Sequence, residues 1–96
     1  MEKQKAITLA QELLDGEFAE ANDNPKGYCQ AMGWDVNGKA TKKAIKKQYS
    51  LCPDKQDYEK LIAIIEDADT EDITLAAQSN AVSDFLCNCV AKHMVK

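Results

Sequence analysis

The segment Pro53-Asp54-Lys55-Gln56-Asp57-Tyr58-Glu59-Lys60-Leu61-Ile62-Ala63-Ile64-Ile65-Glu66-Asp67-Ala68 decides the fold class. Tyr58, Leu61, Ile62, Ile65 and Ala68 recur every three or four residues, the period of a helix that buries one face. Pro53 suits the opening of such a helix, where a missing N–H costs nothing. Asp54 and Asp57 add carboxylates to a first turn whose dipole favours negative charge. Helical spacing continues on both sides of this segment, and strand alternation is almost absent. The expectation is an all-α bundle of about five helices, one domain over residues 1–96, with the fourth and fifth helices and the aliphatic residues of the first supplying most of the core.

Working toward the N-terminus, residues 39–50 form a third helix that gathers Lys39, Lys42, Lys43, Lys46 and Lys47 within an arc of about 140°. Ala40, Ala44, Ile45 and Leu51 fall on its other side. Asp23 or Asn24 caps a short second helix with Pro25 in first position, ending near Gly33, with Tyr28, Cys29 and Met32 facing inward and Trp34 anchoring the turn. The first helix covers residues 3–15, with Ala6, Ile7, Ala10, Leu13, Leu14 and Phe18 on one side. Gly16 either stops it or lets residues 17–21 carry it on.

Toward the C-terminus, Thr70 caps a last helix running to about Met94. Its apolar side shifts along its length: Ile73, Ala76 and Ala77 define one face, whereas Val82, Phe85, Leu86, Cys89 and His93 centre about 180° away. Either the helix breaks near Ser79-Asn80 or its two ends meet different neighbours, and one of the faces is a candidate dimer or partner surface.

The chain has 96 residues, 12 lysines, no arginine and 16 acids, for a net charge of -4. Residues 39–47 hold five of those lysines and no acid. The remaining surface is acidic, which disfavours nucleic acid and suits a basic protein partner, while the one basic helix is concentrated enough to bind phosphate locally. No apolar run approaches the roughly 18 residues that span a bilayer, and the first residues lead into no signal-peptide core. A cytoplasmic protein with no membrane partner is expected.

Four cysteines in a helical chain without a secretion signal read as free thiols. Cys87 and Cys89 point about 200° apart on their helix and cannot share an ion. Cys89 and His93, at i and i+4, lie on one face and form two ligands of a set that Cys29 or Cys52 would have to complete; with no C-x-x-C knuckle, neither a metal nor a cofactor is expected. There is no nucleophile elbow, no glycine-rich phosphate cradle and no H-E-x-x-H pattern, and His93 is the only histidine. Carboxylate pairs such as Asp67 and Asp69 are routine at acidic helix ends. Catalysis is not expected.

Asp35-Val36-Asn37-Gly38 resembles the start of an EF-hand or dockerin calcium loop, but position twelve is Lys46 and three more lysines would enter the cage, so Asn37-Gly38 reads as a turn. Residues 42–55 look like the second helix and loop of J-domain co-chaperones, and residues 28–34 resemble the opening stretch of such domains. Cys52 stands where the family's loop histidine belongs, so that activity is not carried over. Met32-Gly33-Trp34-Asp35 resembles the turn of a helix-turn-helix, with the lysine helix in the recognition position. No Arg, Asn or Gln near its start reads a base edge, so this arrangement would bind phosphate with little sequence preference.

The leading expectation is a non-catalytic inhibitor or adaptor that covers a surface of a larger protein or nucleoprotein complex. In size and charge it resembles phage and mobile-element proteins such as anti-CRISPR and immunity proteins. Val82, Phe85, Leu86, Asp67, Asp69 and Glu71 are its candidate partner contacts, and a homodimer is a further option. The alternative is nucleic-acid binding through Lys39, Lys42, Lys43, Lys46 and Lys47.

Overall fold

A computed structural model of the protein describes residues 2–46, 50–68 and 80–95. Within them stand five α-helices and no strand: α1 (Lys3–Asp23), α2 (Pro25–Met32), α3 (Lys39–Lys46), α4 (Lys55–Asp67) and α5 (Asn80–Val95). The all-α architecture is as expected. Helix α1 is the spine, packing most extensively on α4 and also on α2 and α5, while α3 bridges α2 and α5. All five helices contribute to one hydrophobic core.

Gly16 does not stop α1. Leu14, Phe18 and Ala21 continue the inward stripe at i, i+4 and i+7, and all three are buried. Burying a phenylalanine contributes about 1.5–3 kcal/mol, which outweighs the roughly 1 kcal/mol that glycine costs inside a helix. The helix therefore runs on to Asp23, where Asn24 ends it and caps α2 in turn, its side-chain oxygen accepting from the Gly27 N–H at 3.1 Å. Asn22 clamps the chain ahead of α4: its amide donates to the Leu51 carbonyl at 2.9 Å and accepts from the Leu51 N–H at 2.7 Å.

Helix α2 closes with Gly33 at φ 78°, the left-handed conformation that glycine adopts without a Cβ penalty. Gly33 N–H donates to the Gln30 carbonyl and Trp34 N–H to that of Cys29, satisfying two of the carbonyls the helix end would leave open. Trp34 then packs on Tyr28, with ring centroids 5.8 Å apart. Asn37-Gly38 is a turn, held by hydrogen bonds to the Asp35 side chain and carbonyl.

Three expectations are corrected. Helix α4 opens with Asp54 as its cap and Lys55 as its first residue, Pro53 lying ahead of it, and Ala68 is exposed rather than part of the stripe. Leu9, absent from the expected α1 face, is buried. In α3 the buried residues are Thr41 and Ala44, whereas Ile45 is 41% exposed. Thr41 can be buried because its hydroxyl lies 2.9 Å from Cys29 Sγ and 3.4 Å from the Asp35 carbonyl oxygen, leaving no unmet polar group.

Candidate functional site

The N-terminus of α4 and the C-terminal half of α5 meet at a buried polar centre. Asp54 and Asp57 form a reciprocal cap: Asp54 Oδ1 accepts from the Asp57 N–H and Asp57 Oδ2 accepts from the Asp54 N–H, both at 2.9 Å. Asp57 is nevertheless 2% exposed, because its carboxylate also faces α5. Oδ1 accepts from Lys92 Nζ at 2.7 Å and Oδ2 lies 2.8 Å from His93 Nε2. An ionised carboxylate only accepts, so the Nε2 proton lies on His93. Cys89 Sγ belongs to the same cluster, within 4.8 Å of the Asp57 and His93 ligand atoms. The His93 ring stands edge-on to Phe18, centroids 5.3 Å apart, which ties α1 into the same centre.

Burial alone would raise the Asp57 pKa. The hydrogen bonds from Lys92, the Asp54 N–H, His93 and Cys89 outweigh it and hold the carboxyl well below its ordinary range. The bond to Asp57 raises Lys92. For Cys89, burial and then the Asp57 charge push the thiol up to about 12. That direction is opposite to the one an activated nucleophile needs. In a thiol–imidazole catalytic pair the imidazole takes the thiol proton and the carboxylate stands behind the imidazole. Here His93 Nε2 is engaged by the carboxylate while burial and the Asp57 charge push the thiol up, so the centre clasps two helices and no activated thiolate is formed.

Neither Cys29 nor Cys52 joins this centre: Cys29 is engaged with Thr41, and Cys52 is exposed. The third member beside Cys89 and His93 is Asp57, and the ligand-type atoms of the three all lie within 4.8 Å of one another. Cys87 points the other way and contacts Met32 Sδ at 3.3 Å, in keeping with the 200° expected between the two thiols. All four cysteines are free.

The second feature is the outer face of α3. Lys39, Lys42 and Lys46 are exposed and Lys43 half-buried; among the described residues none of the four makes an ion pair, those present being Lys55–Glu59 and the pairs of Lys92 and His93 with α4. Ile45 lies about 60° round the helix from Lys42, at the edge of this arc, and is the one large apolar side chain exposed among the described residues. At the start of α3, Lys39 lines a groove of about 340 Å³ together with Trp34, Asp35, Ala40, Ala91 and Met94.

The candidate partner contacts are dispersed. Val82 and Leu86 are buried at 0% and 7% exposure and Phe85 is half-buried against the core, so this face of α5 serves the protein's own interior and not a partner surface. Asp67 is exposed at the end of α4. Asp69, Glu71 and Lys47 lie outside the described residues, as does the expected Ile73, Ala76 and Ala77 face. No helix among the described residues is long and apolar enough to cross a membrane.

No protein-family model matches the chain, and neither do any curated protein or solved structure.

Proposed function

We propose that this protein acts by binding, as an inhibitor or adaptor that covers an acidic surface of a larger protein or nucleoprotein complex with the outer face of α3. The observation that carries this reading is the exposed Ile45 at the edge of lysines that make no ion pair among the described residues. Long cationic side chains around an aliphatic knob, beside a mostly apolar groove, suit a protein surface that offers carboxylates and an apolar contact together. A phosphate backbone has no use for Ile45. The net charge of -4 does not prevent this, because physiological salt screens charge beyond about 8 Å and leaves the local face in control. The closed Asp57 centre supports binding over catalysis, since its would-be base is engaged by the carboxylate and its would-be nucleophile has its pKa pushed up.

A nucleic-acid reading is favoured by one observation, the absence of acidic partners for Lys39, Lys42, Lys43 and Lys46 among the described residues. Against it, the one hydroxyl side chain early in α3, that of Thr41, is buried and engaged. Capture of partners from a lysate at physiological salt, with and without nuclease, decides between the two. A partner whose capture survives nuclease and is lost with the Lys39→Glu, Lys42→Glu, Lys46→Glu triple variant is the expected result. Loss on nuclease treatment alone would transfer the assignment to nucleic acid, and capture unaffected by the triple variant would remove α3 from the interface.

A further inference from the structure

We propose that Asp57, Cys89 and His93 form a binding site for a zinc-class divalent cation, with the Lys92 ammonium occupying the cation's place when metal is absent. The proposal is independent of the α3 reading. Three donors of the right chemistry converge from two rigid helices, all buried, with their ligand atoms within 4.8 Å of one another. A thiol and an imidazole beside a single carboxylate select zinc or a similar borderline ion over calcium or magnesium, which demand an oxygen cage. Two donors on a tetrahedral zinc stand about 3.3 Å apart, given bond lengths of about 2.0–2.2 Å. His93 Nε2 and Asp57 Oδ2, now 2.8 Å apart across a proton, need to separate by only about half an ångström for a metal to replace that proton.

The charge count favours the exchange. Without metal, the buried Asp57 carboxylate is balanced by the Lys92 ammonium, and Cys89 keeps its thiol proton. With a divalent cation, the carboxylate and a Cys89 thiolate balance the metal and Lys92 leaves for solvent. The thiol proton is released to water, and the imidazole proton moves to the other ring nitrogen. In each state the buried carboxylate faces a cation, so neither places an uncompensated charge in the core. Lys92 is placed to leave: its side chain is 43% exposed, whereas that of Asp57 is 3% exposed. The ammonium also lies 3.8 Å from Asp54 Oδ2, toward the outside of the centre, so a water can fill the fourth position once it has swung out.

The test is titration of Co²⁺ into the reduced full chain carrying Cys52→Ser, which removes the exposed thiol, followed by competition with Zn²⁺. The expected result is a thiolate-to-cobalt charge-transfer band with tetrahedral visible absorption at one ion per chain, abolished by Zn²⁺. Cys89→Ser removes the band, and Lys92→Met, which deletes the competing cation and leaves all three ligands, tightens binding. Helical circular dichroism is followed for each variant, so that loss of fold is told apart from loss of a ligand. Absence of the band in the Cys52→Ser chain, its persistence in a folded Cys89→Ser chain, or unchanged or weaker affinity in Lys92→Met would each overturn the assignment.

Discussion

Asp57 and His93 are joined across two helices by a hydrogen bond of 2.8 Å, and the same Asp57 oxygen accepts the backbone N–H of Asp54 that completes the cap of α4. One carboxylate thus ends a helix and fastens it to another. Replacing Asp57 with Ala removes one of the two reciprocal cap bonds and leaves His93 buried without its acceptor, at an expected cost of about 3–5 kcal/mol. Asp57→Asn retains one acceptor oxygen and loses less. Urea unfolding followed by circular dichroism checks both values and their order.

Stability in metal-free buffer follows from the same centre. The folded-state pKa of Asp57 is depressed, so its contribution is present in full above the unfolded value of about 3.9 and is lost as pH falls below it toward the folded value. Cys89 has the opposite sign. Its thiol is pushed up to about 12, so its contribution is complete below the unfolded value of about 8.5 and is lost as pH rises from there toward the folded value. Melting temperatures between pH 3 and pH 11 in the presence of a chelator should show both limbs. Asp57→Asn flattens the acid limb, and Cys89→Ser weakens the alkaline one.

Asn22 holds Leu51 through both backbone polar groups, and Leu51 is buried in the core. Asn22→Ala leaves that N–H and carbonyl without their partner and costs about 1–3 kcal/mol. Asn22→Asp is no rescue, because it sets a carboxylate oxygen against the Leu51 carbonyl. Thermal unfolding of the two variants beside the parent measures the difference.

Gly16 lies exposed within α1, and a Cβ built there meets no atom within 4 Å. Gly16→Ala therefore stabilises the protein by about 0.5–1 kcal/mol through helix propensity and a less flexible unfolded chain. In a domain of this size a gain of 1 kcal/mol raises the melting temperature by about 4–8 °C. Calorimetry reads it directly.

The stripe of α4 was legible because its burial is one-sided: Leu61 and Ile65 are buried and Tyr58 and Ile62 half-buried, at the spacing a helix demands. The pairing of Cys89 with His93 was legible for the same reason, as positions one turn apart. Asp57 was not, because an aspartate three residues into a helix is fully accounted for by capping and the dipole. Its other partners come from residues 35 and 36 positions further along the chain, a separation that no local pattern encodes. The wheel of α5 gives the angle of Val82 and Leu86 but not the neighbour they meet, so an inward face resembled a partner surface. The inversion of Thr41 and Ile45 in α3 has a similar cause. Hydropathy places isoleucine inside, whereas the threonine hydroxyl, bonded to the Cys29 thiol and donating to the Asp35 carbonyl, takes that place.

The central claim, that α3 is the contact face, is tested most directly by the acetylation rates of individual lysines in the captured complex and in the free protein. The account predicts that Lys39, Lys42 and Lys46 become protected in the complex while Lys55 and Lys60, exposed on α4, react as before. Unchanged reactivity along α3, with protection confined to α4, would contradict it.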